Sequence, residues 1–557
     1  MVTPSRSRSP SSGSDTAAKR RKVEQPTEVA AFLFRRDLRV CDNTALLALA
    51  KRAAAASLPV LPLFFFNPVQ CSPSTNHYFG RACFQFMCES LAELDQGELG
   101  GRLVCLRGSD AACLQVVQEA GLRVRMVGYN EDFSPFALVR DAELARYCAA
   151  HRVERVSRAD DYTLLPPAAV LNKTHQPYSV FTSFCRCVLQ EHVSQIRRPD
   201  RAVLPAAETF YADGKAVFAK RRVDPLSLFT PMPHLCDRGG RAAALACLSR
   251  VAGMAGYAED RNDIPGDRTS HLSPHMKFGT VSTREVFAAA VAALGASSPF
   301  VVQLVWREFY AMLLYHHPRL AQAQLDAFPP EVVAAYAARG EARGAGPRAN
   351  DPFLAKYHTY TWRWSEAHFE AFRQGRTGVP LVDAAVRCVS ATGWCHNRCR
   401  MVLASFLVKV LGVDWREGER WFATVAVDYD VANNSGGWLW SSGQGADAQP
   451  YFRTFNPFRQ SERFDPDSVF VHRWVEELRG VPPSVIHKWD VYCARHGRTY
   501  APPDGDPTPK RGTRPVKADT RSAMALEYDT PYPAPIVNIK ECTAKIVAEF
   551  KKYDPKK

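Results

Sequence analysis

Between Val29 and Ser157 five short apolar or β-branched runs, VAAFLF, LPVLPLFFF, RLVCLR, LRVRMVGYN and RVERVS, alternate with longer segments whose apolar residues recur at helical spacing. Strands covered on both faces read as continuous apolar runs, and strands separated by helices pair in parallel. The pattern predicts an α/β domain over residues 29–165, a doubly wound parallel five-stranded sheet of Rossmann-like type. In the first turn, FRRDLRVCDNTALLALA, Asp42 and Asn43 are placed to cap the helix that follows. No GxGxxG follows the first strand, so the usual dinucleotide fingerprint is absent. Ligands of such sheets sit outside the carboxyl ends of the strands, where Asn130, Glu131 and Asp132 follow the fourth run.

The periodicity then changes. Residues 166–246 are rich in Pro and Arg and hold no sustained period, which predicts a connector packed over the protein with short helices of its own. Residues 247–505 carry helical apolar stripes and predict an all-α domain. Ser273 before Pro274 reads as an N-cap with Pro at N1, and Ser282 with Glu285 reads as a capping box. MVLASFLVKVL, Met401 to Leu411, is apolar on most sides and predicts a buried helix whose first turn begins near His396. Residues 1–28 form a basic tail without apolar periodicity and should be disordered; residues 506–557 form a C-terminal segment with a helix near Ile536 to Phe550 and no long regulatory extension.

Candidate chemistry concentrates between Gly393 and Trp440. Asn397, Arg400 and Met401 stand at i, i+3 and i+4, so one helix face carries an amide, a guanidinium and a thioether. A buried Arg400 requires an anion, and Asp428 and Asp430 are the nearest carboxylates. They precede Asn433, Asn434, Gly436 and Gly437, which read as a turn-rich loop able to approach a planar ligand. Trp394, Trp415, Trp438 and Trp440 share the stretch. Upstream, Thr269, Ser270 and Ser273 gather hydroxyls and backbone N–H groups at a helix start, a seat for phosphate. Gln303, Trp306 and Arg307 occupy one face of a further apolar helix. Cys395 and Cys399 flank His396 at helical spacing, but no second Cys/His pair has ligand spacing, so no metal site is expected.

A formal net charge of +14 on 557 residues favours an acidic partner such as nucleic acid. The 16 cysteines follow no disulfide framework and read as reduced thiols. No apolar run reaches the ~18 residues of a membrane span. Lys19, Arg20, Arg21 and Lys22 form a compact cluster that an import receptor could read, so the nucleus is the expected compartment, with an organelle or the cytoplasm as alternatives.

TGWCHNRCRM, DWREGERWF and DYDVANNSGGWLW resemble the flavin-binding domain of the photolyase and cryptochrome family, most closely its class I cyclobutane-dimer photolyases. The resemblance implies FAD, with Tyr257, Thr269, Ser270, Leu272, Ser273, Arg307, Asn397, Arg400, Asp428, Asp430 and Asn434 matching its contacts. It implies an electron path through Trp438, Trp415 and Trp362, with Trp364 as the substitute for the outermost ring, and Asn434 beside the reactive ring nitrogen. It sets Gln303, Trp306, Asn397, Arg398, Met401 and Trp440 around a flipped-out pyrimidine dimer, with damaged DNA as partner to a monomeric enzyme. An antenna chromophore, methenyltetrahydrofolate or deazaflavin, is implied near Glu131. The implied activity is a light-driven carbon–carbon lyase; the alternative is a blue-light photoreceptor without repair. Six-four photolyases would carry histidines at Asn397 and Met401, and Gln303 stands where most class I enzymes have glutamate.

Overall fold

The computed structural model describes residues 26–200, 207–321, 360–448, 450, 452–499, 528 and 530–553. The Lys19–Lys22 cluster, almost all of the tail and much of the C-terminal segment lie outside the described residues. All five apolar runs are strands: β1 (Thr27–Phe34), β2 (Val60–Phe66), β3 (Val104–Arg107), β4 (Leu122–Asn130) and β5 (Glu154–Arg158). They pair in parallel in the order β3-β2-β1-β4-β5. Central β1 shows why the runs are continuous. Ala30, Phe32 and Phe34 pack with α1 (Thr44–Ala55) and α2 (Arg81–Glu93), whereas Val29, Ala31 and Leu33 pack with α3 (Asp110–Glu119) and α4 (Pro135–His151). Each face of the strand is thus dry, and neither tolerates a polar alternation.

The connector carries short helices, among them α5 (Phe181–Arg186) and α6 (Arg241–Arg250). The helical layer follows: α7 (Ser273–Phe278), α8 (Thr283–Leu294), α9 (Pro299–His316), α10 (Pro380–Thr392), α11 (Asn397–Phe406), α12 (Trp415–Val425), α13 (Val431–Ser442) and α14 (Ile539–Lys551). The apolar run after His396 is helical as expected, but its second half, Leu407–Leu411, is a π-helical turn.

Three local expectations are corrected. Ser273 is the first residue of α7, not its cap: Leu272 holds the cap position, and the Ser273 hydroxyl donates to Asp428 Oδ2 at 2.6 Å. The run from Val431 onward is not a loop but α13, capped by Asp430, whose carboxylate accepts from Asn433 N at 3.0 Å. A good cap outweighs the two glycines inside the helix. Asn43 caps α1 alone, while Asp42 takes a left-handed backbone (φ 52°) and turns its carboxylate to Arg284.

That last contact belongs to a buried knot of charge. Arg39 donates to Asp161 at 2.8 Å, and Arg284, on α8, reaches Asp42 at 2.9 Å and Asp161 at 3.4 Å. All four side chains are at most 1% exposed. Against the burial that would raise it, Arg39 and Arg284 hold the Asp161 carboxyl below its ordinary range. The knot joins the carboxyl edge of the sheet to the helical layer. Asp161→Asn should cost ~3 to 5 kcal/mol, because it leaves two buried guanidinium groups short of one anion. A urea midpoint unchanged from wild type would disprove this, and adding Arg284→Met should restore part of the loss.

Candidate functional site

One cavity of about 610 Å³ opens among α7, α9, α11 and α13. Its walls bring together Tyr257, Thr269, Ser270, Leu272, Ser273, Arg307, Asn397, Arg400, Asp428, Asp430 and Asn434, which are separated by up to 177 positions (434 − 257). Gln303, Trp306, Met401, Trp438 and Trp440 line the same space. Arg398, Trp415 and Trp362 do not. Arg398 donates to Asn262 Oδ1 at 2.5 Å and lies 4.4 Å over the Phe464 ring.

The charges are placed by the elements around them. Arg400, one turn into α11, donates through both terminal nitrogens to Asp428 at 3.1 and 3.0 Å, the pair expected of it. Asp430 caps α13 and accepts from Arg36 at 2.9 Å, so the turn after β1 reaches the cavity wall. Burial opposes its charge, yet Arg36, Lys277 and Arg307 hold this carboxyl well below its ordinary range. Arg307 lines the cavity, but its guanidinium is held by Tyr162 O at 2.7 Å and Thr283 Oγ1 at 3.3 Å. Lys277 is different. Among the described residues its ammonium forms no hydrogen bond or direct ion pair; it lies 5.7 Å from the Phe278 ring, and the Asp430 and Asp132 carboxylates act on it at longer range. Burial lowers its pKa, so this cation at the cavity wall favours an anionic ligand.

Asn434 is oriented by a residue that sequence reading passed over. Its Nδ2 donates to Glu419 O at 3.0 Å and to Glu419 Oε1 at 2.9 Å. A backbone carbonyl can only accept, which fixes the amide with its nitrogen towards Glu419 and its Oδ1 left to accept from a ligand. Glu419 is 1% exposed on α12, and burial pushes its carboxyl up to about 7. The signal for it existed: Trp415, Glu419 and Phe422 stand at i, i+4 and i+7, which puts a carboxyl on an apolar face. Arg36 and Lys277 gave no comparable signal, since what singles them out is a partner, or the lack of one, on another element.

Of Trp438, Trp415 and Trp362, only Trp438 lines the cavity. It packs on α12 at Gly418, where a Cβ would stand 2.3 Å from the indole. Trp415 opens the same helix and is 2% exposed. Arg363 N donates to Gly412 O at 2.9 Å, and the neighbouring Trp362 packs against the same core, its ring 4.7 Å from Tyr360. Trp364 is 55% exposed and packs on Phe369 instead. Trp306 lies flat on Phe181 of the connector, centroids 3.6 Å apart at 7°. Glu131 stands exposed and accepts from Ser157 Oγ at 2.6 Å; the buried polar group at that edge of the sheet is Asn130, which donates to Asp37 and Asn43.

A parallel Rossmann-like sheet joined to a helical layer, with a cavity lined by hydroxyls, a lysine without a direct ion pair among the described residues and aromatic rings, suits a protein of the nucleotide-cofactor class. Comparison with known proteins narrows the class. Residues 30–204 match the family described as DNA photolyase, and residues 300–552 match the FAD binding domain of DNA photolyase. A deoxyribodipyrimidine photo-lyase of Halobacterium salinarum is 35% identical, covering 86% of this chain and 95% of the relative. Among solved structures, an archaeal photolyase from Sulfolobus tokodaii with two FAD molecules superposes with TM-score 0.70 at 31% identity, covering 94% of this chain and 100% of its own. A bacterial class III photolyase from Agrobacterium tumefaciens gives 0.71 at 29% identity, covering 97% and 99%. The chain belongs to the DNA photolyase family, and its cofactor is FAD.

The donor set fits that cofactor: the Lys277 ammonium and the Ser270 hydroxyl suit a diphosphate, and the fixed Asn434 carbonyl suits a ring N–H, while the Thr269 and Ser273 hydroxyls donate to Asp267 and Asp428. The Glu419 carboxyl also makes stability depend on pH. Its proton is held more tightly in the folded chain than in the unfolded one, so its contribution is complete below about pH 4.5 and is lost as pH rises through about 7. Glu419→Gln should flatten the fall in melting temperature across that window. A wild type and variant that decline in parallel would show that Glu419 is not the group responsible.

Proposed function

We propose that the protein repairs cyclobutane pyrimidine dimers in DNA under near-UV or blue light. The observation that carries this reading is the shared cavity: residues suited to hold FAD and residues suited to hold a flipped pyrimidine pair line one space, with no element between them. When bound and reduced, FAD supplies a light-excited electron to the dimer, whose two joining carbon–carbon bonds then open, and takes the electron back.

The chain's own residues bind, orient and keep water out. Lys277 and Ser270 would hold the diphosphate, with Thr269 beside them, and Asn434 would accept from the ring N–H. Arg400, already neutralised by Asp428, fixes α11 rather than supplying net charge. The Trp306 ring, braced flat on Phe181, offers a rigid wall for stacking a flipped base. Gln303, one helical turn before it, presents both a donor and an acceptor to a pyrimidine edge. Met401 and Trp440 close the apolar side. Arg398, outside the cavity and held by Asn262, would add a contact to DNA phosphate, one that weakens as salt rises.

Purified protein should restore dimer-containing oligonucleotides under light and not in the dark, and should leave six-four photoproducts untouched. Binding without light-dependent repair would support the photoreceptor alternative instead. Trp438→Phe should block photoreduction of oxidised FAD by an external reductant while the chemically reduced enzyme still repairs; a reduced variant equally inactive would place the indole in packing or substrate binding. Gln303→Glu should leave dimer affinity within a small factor and raise the quantum yield of splitting, since a protonated carboxyl stabilises developing negative charge by about 1 to 3 kcal/mol more than an amide. A yield that falls with affinity intact would show the cavity is already built around the amide.

A further inference from the structure

We propose that His271, the middle residue of Thr269–Ser273, is a permanently charged latch that holds the diphosphate seat in shape and so governs FAD retention, a proposal that rests on this cavity being the FAD site. Both ring nitrogens face carboxylates: Nδ1 lies 2.9 Å from Asp237 Oδ1 and Nε2 lies 2.9 Å from Asp267 Oδ2. An ionised carboxylate only accepts, so satisfying both contacts requires a proton on each nitrogen. The imidazolium stacks on Trp394 with centroids 4.2 Å apart, a contact that favours the cation. Burial alone would discharge it, but Asp237 and Asp267 outweigh that and raise the pKa to about 12.

The latch ties the seat to two other parts of the chain. Asp237 belongs to the connector and is buried. The second oxygen of Asp267 accepts from Thr269 Oγ1 at 3.2 Å, so the carboxylate that clamps His271 also fixes the side chain at the start of the seat. The loop is bent at both ends, with Asp267 (φ 46°) and His271 (φ 54°) in the left-handed region that side chains avoid. Such geometry persists only where surrounding contacts over-determine it, and the two ion pairs do so here. The other charged or titratable groups facing the cluster are Arg250, whose guanidinium donates to Ser270 O at 3.4 Å, Arg400, His275, His396 and the exposed Cys236 thiol, 3.9 Å from Nδ1. None of them offers His271 a second anion, so the clamp depends on its two aspartates.

In the wild-type holoprotein, nitrogen NMR of labelled histidine should show both His271 ring positions protonated and unchanging from about pH 6 to pH 10. His271→Gln, which keeps one donor and no charge, should speed FAD release roughly ten- to a hundredfold. His271→Arg, a fixed cation with donors in two directions, should hold release within about threefold of wild type. A ring that titrates in the ordinary histidine range, or a Gln variant that keeps FAD like wild type, would overturn the latch. So would Zn²⁺ binding to wild type with proton release, abolished by Cys236→Ala, which would make Nδ1 a metal ligand. A wild type that binds no FAD would defeat the cofactor reading while leaving the ring's protonation measurable.

Discussion

The structure depends on charges that were removed from water at one edge of a sheet and then paired across to another layer. Arg39, Asp42, Asp161 and Arg284 are almost wholly inaccessible, and each loses its hydration only because the others replace it. A buried ion pair adds little stability over an apolar contact, but it accepts only one relative position of its members. Here the members come from the turn after β1, the turn after β5 and the start of α8, so the knot sets how the sheet meets the helices. The same turn after β1 sends Arg36 to Asp430, the cap of α13. Cavity and domain contact are therefore positioned by one loop.

That coupling explains why the cavity mixes free and committed charge. Arg400, Arg307 and Asp430 have their counter-charges or carbonyl partners built in, and they act as fixed walls. Lys277 makes no direct ion pair among the described residues, although Asp430 and Asp132 act on it at longer range, so its ammonium keeps its donors for an anionic ligand. Asn434 shows the same division in neutral groups: its donors are committed to Glu419, and its acceptor is left for the ligand. Polar groups satisfied from behind are held in one rotamer, which is what preorganises a binding site before any ligand arrives.

Close packing performs the remaining placement. Gly418 admits the Trp438 indole against α12, and Gly436 meets the Tyr310 ring, where a Cβ would come within 2.2 Å. These approaches bring α13 against α9 and α12 and hold its inner face, with Asn434, Trp438 and Trp440, on the cavity. Gly436, one of the two glycines that suggested a turn-rich loop in the sequence, is instead what lets α13 lie this close to α9.

The sequence by itself determined the strands, their parallel pairing and most of the residues that line the cavity. Period and apolar continuity are local consequences of burial on one or two faces, so β1 to β5, the Ser282–Glu285 capping box and the helix after His396 were legible without coordinates. Most of the cavity-lining residues were legible through long motifs whose resemblance carries the spacing of a whole family. What only the tertiary structure decided is which of these side chains were still available. Ser273 donates to Asp428 instead of capping, Asp430 ends a helix where a loop was expected, and Arg307 turns to Tyr162. Arg36, Lys277, Glu419 and His271 gained their significance from partners, or the lack of them, far away in the chain. A hydrogen bond or ion pair between distant residues leaves no period in the sequence, because its strength depends on distance and burial that exist only once the chain has folded.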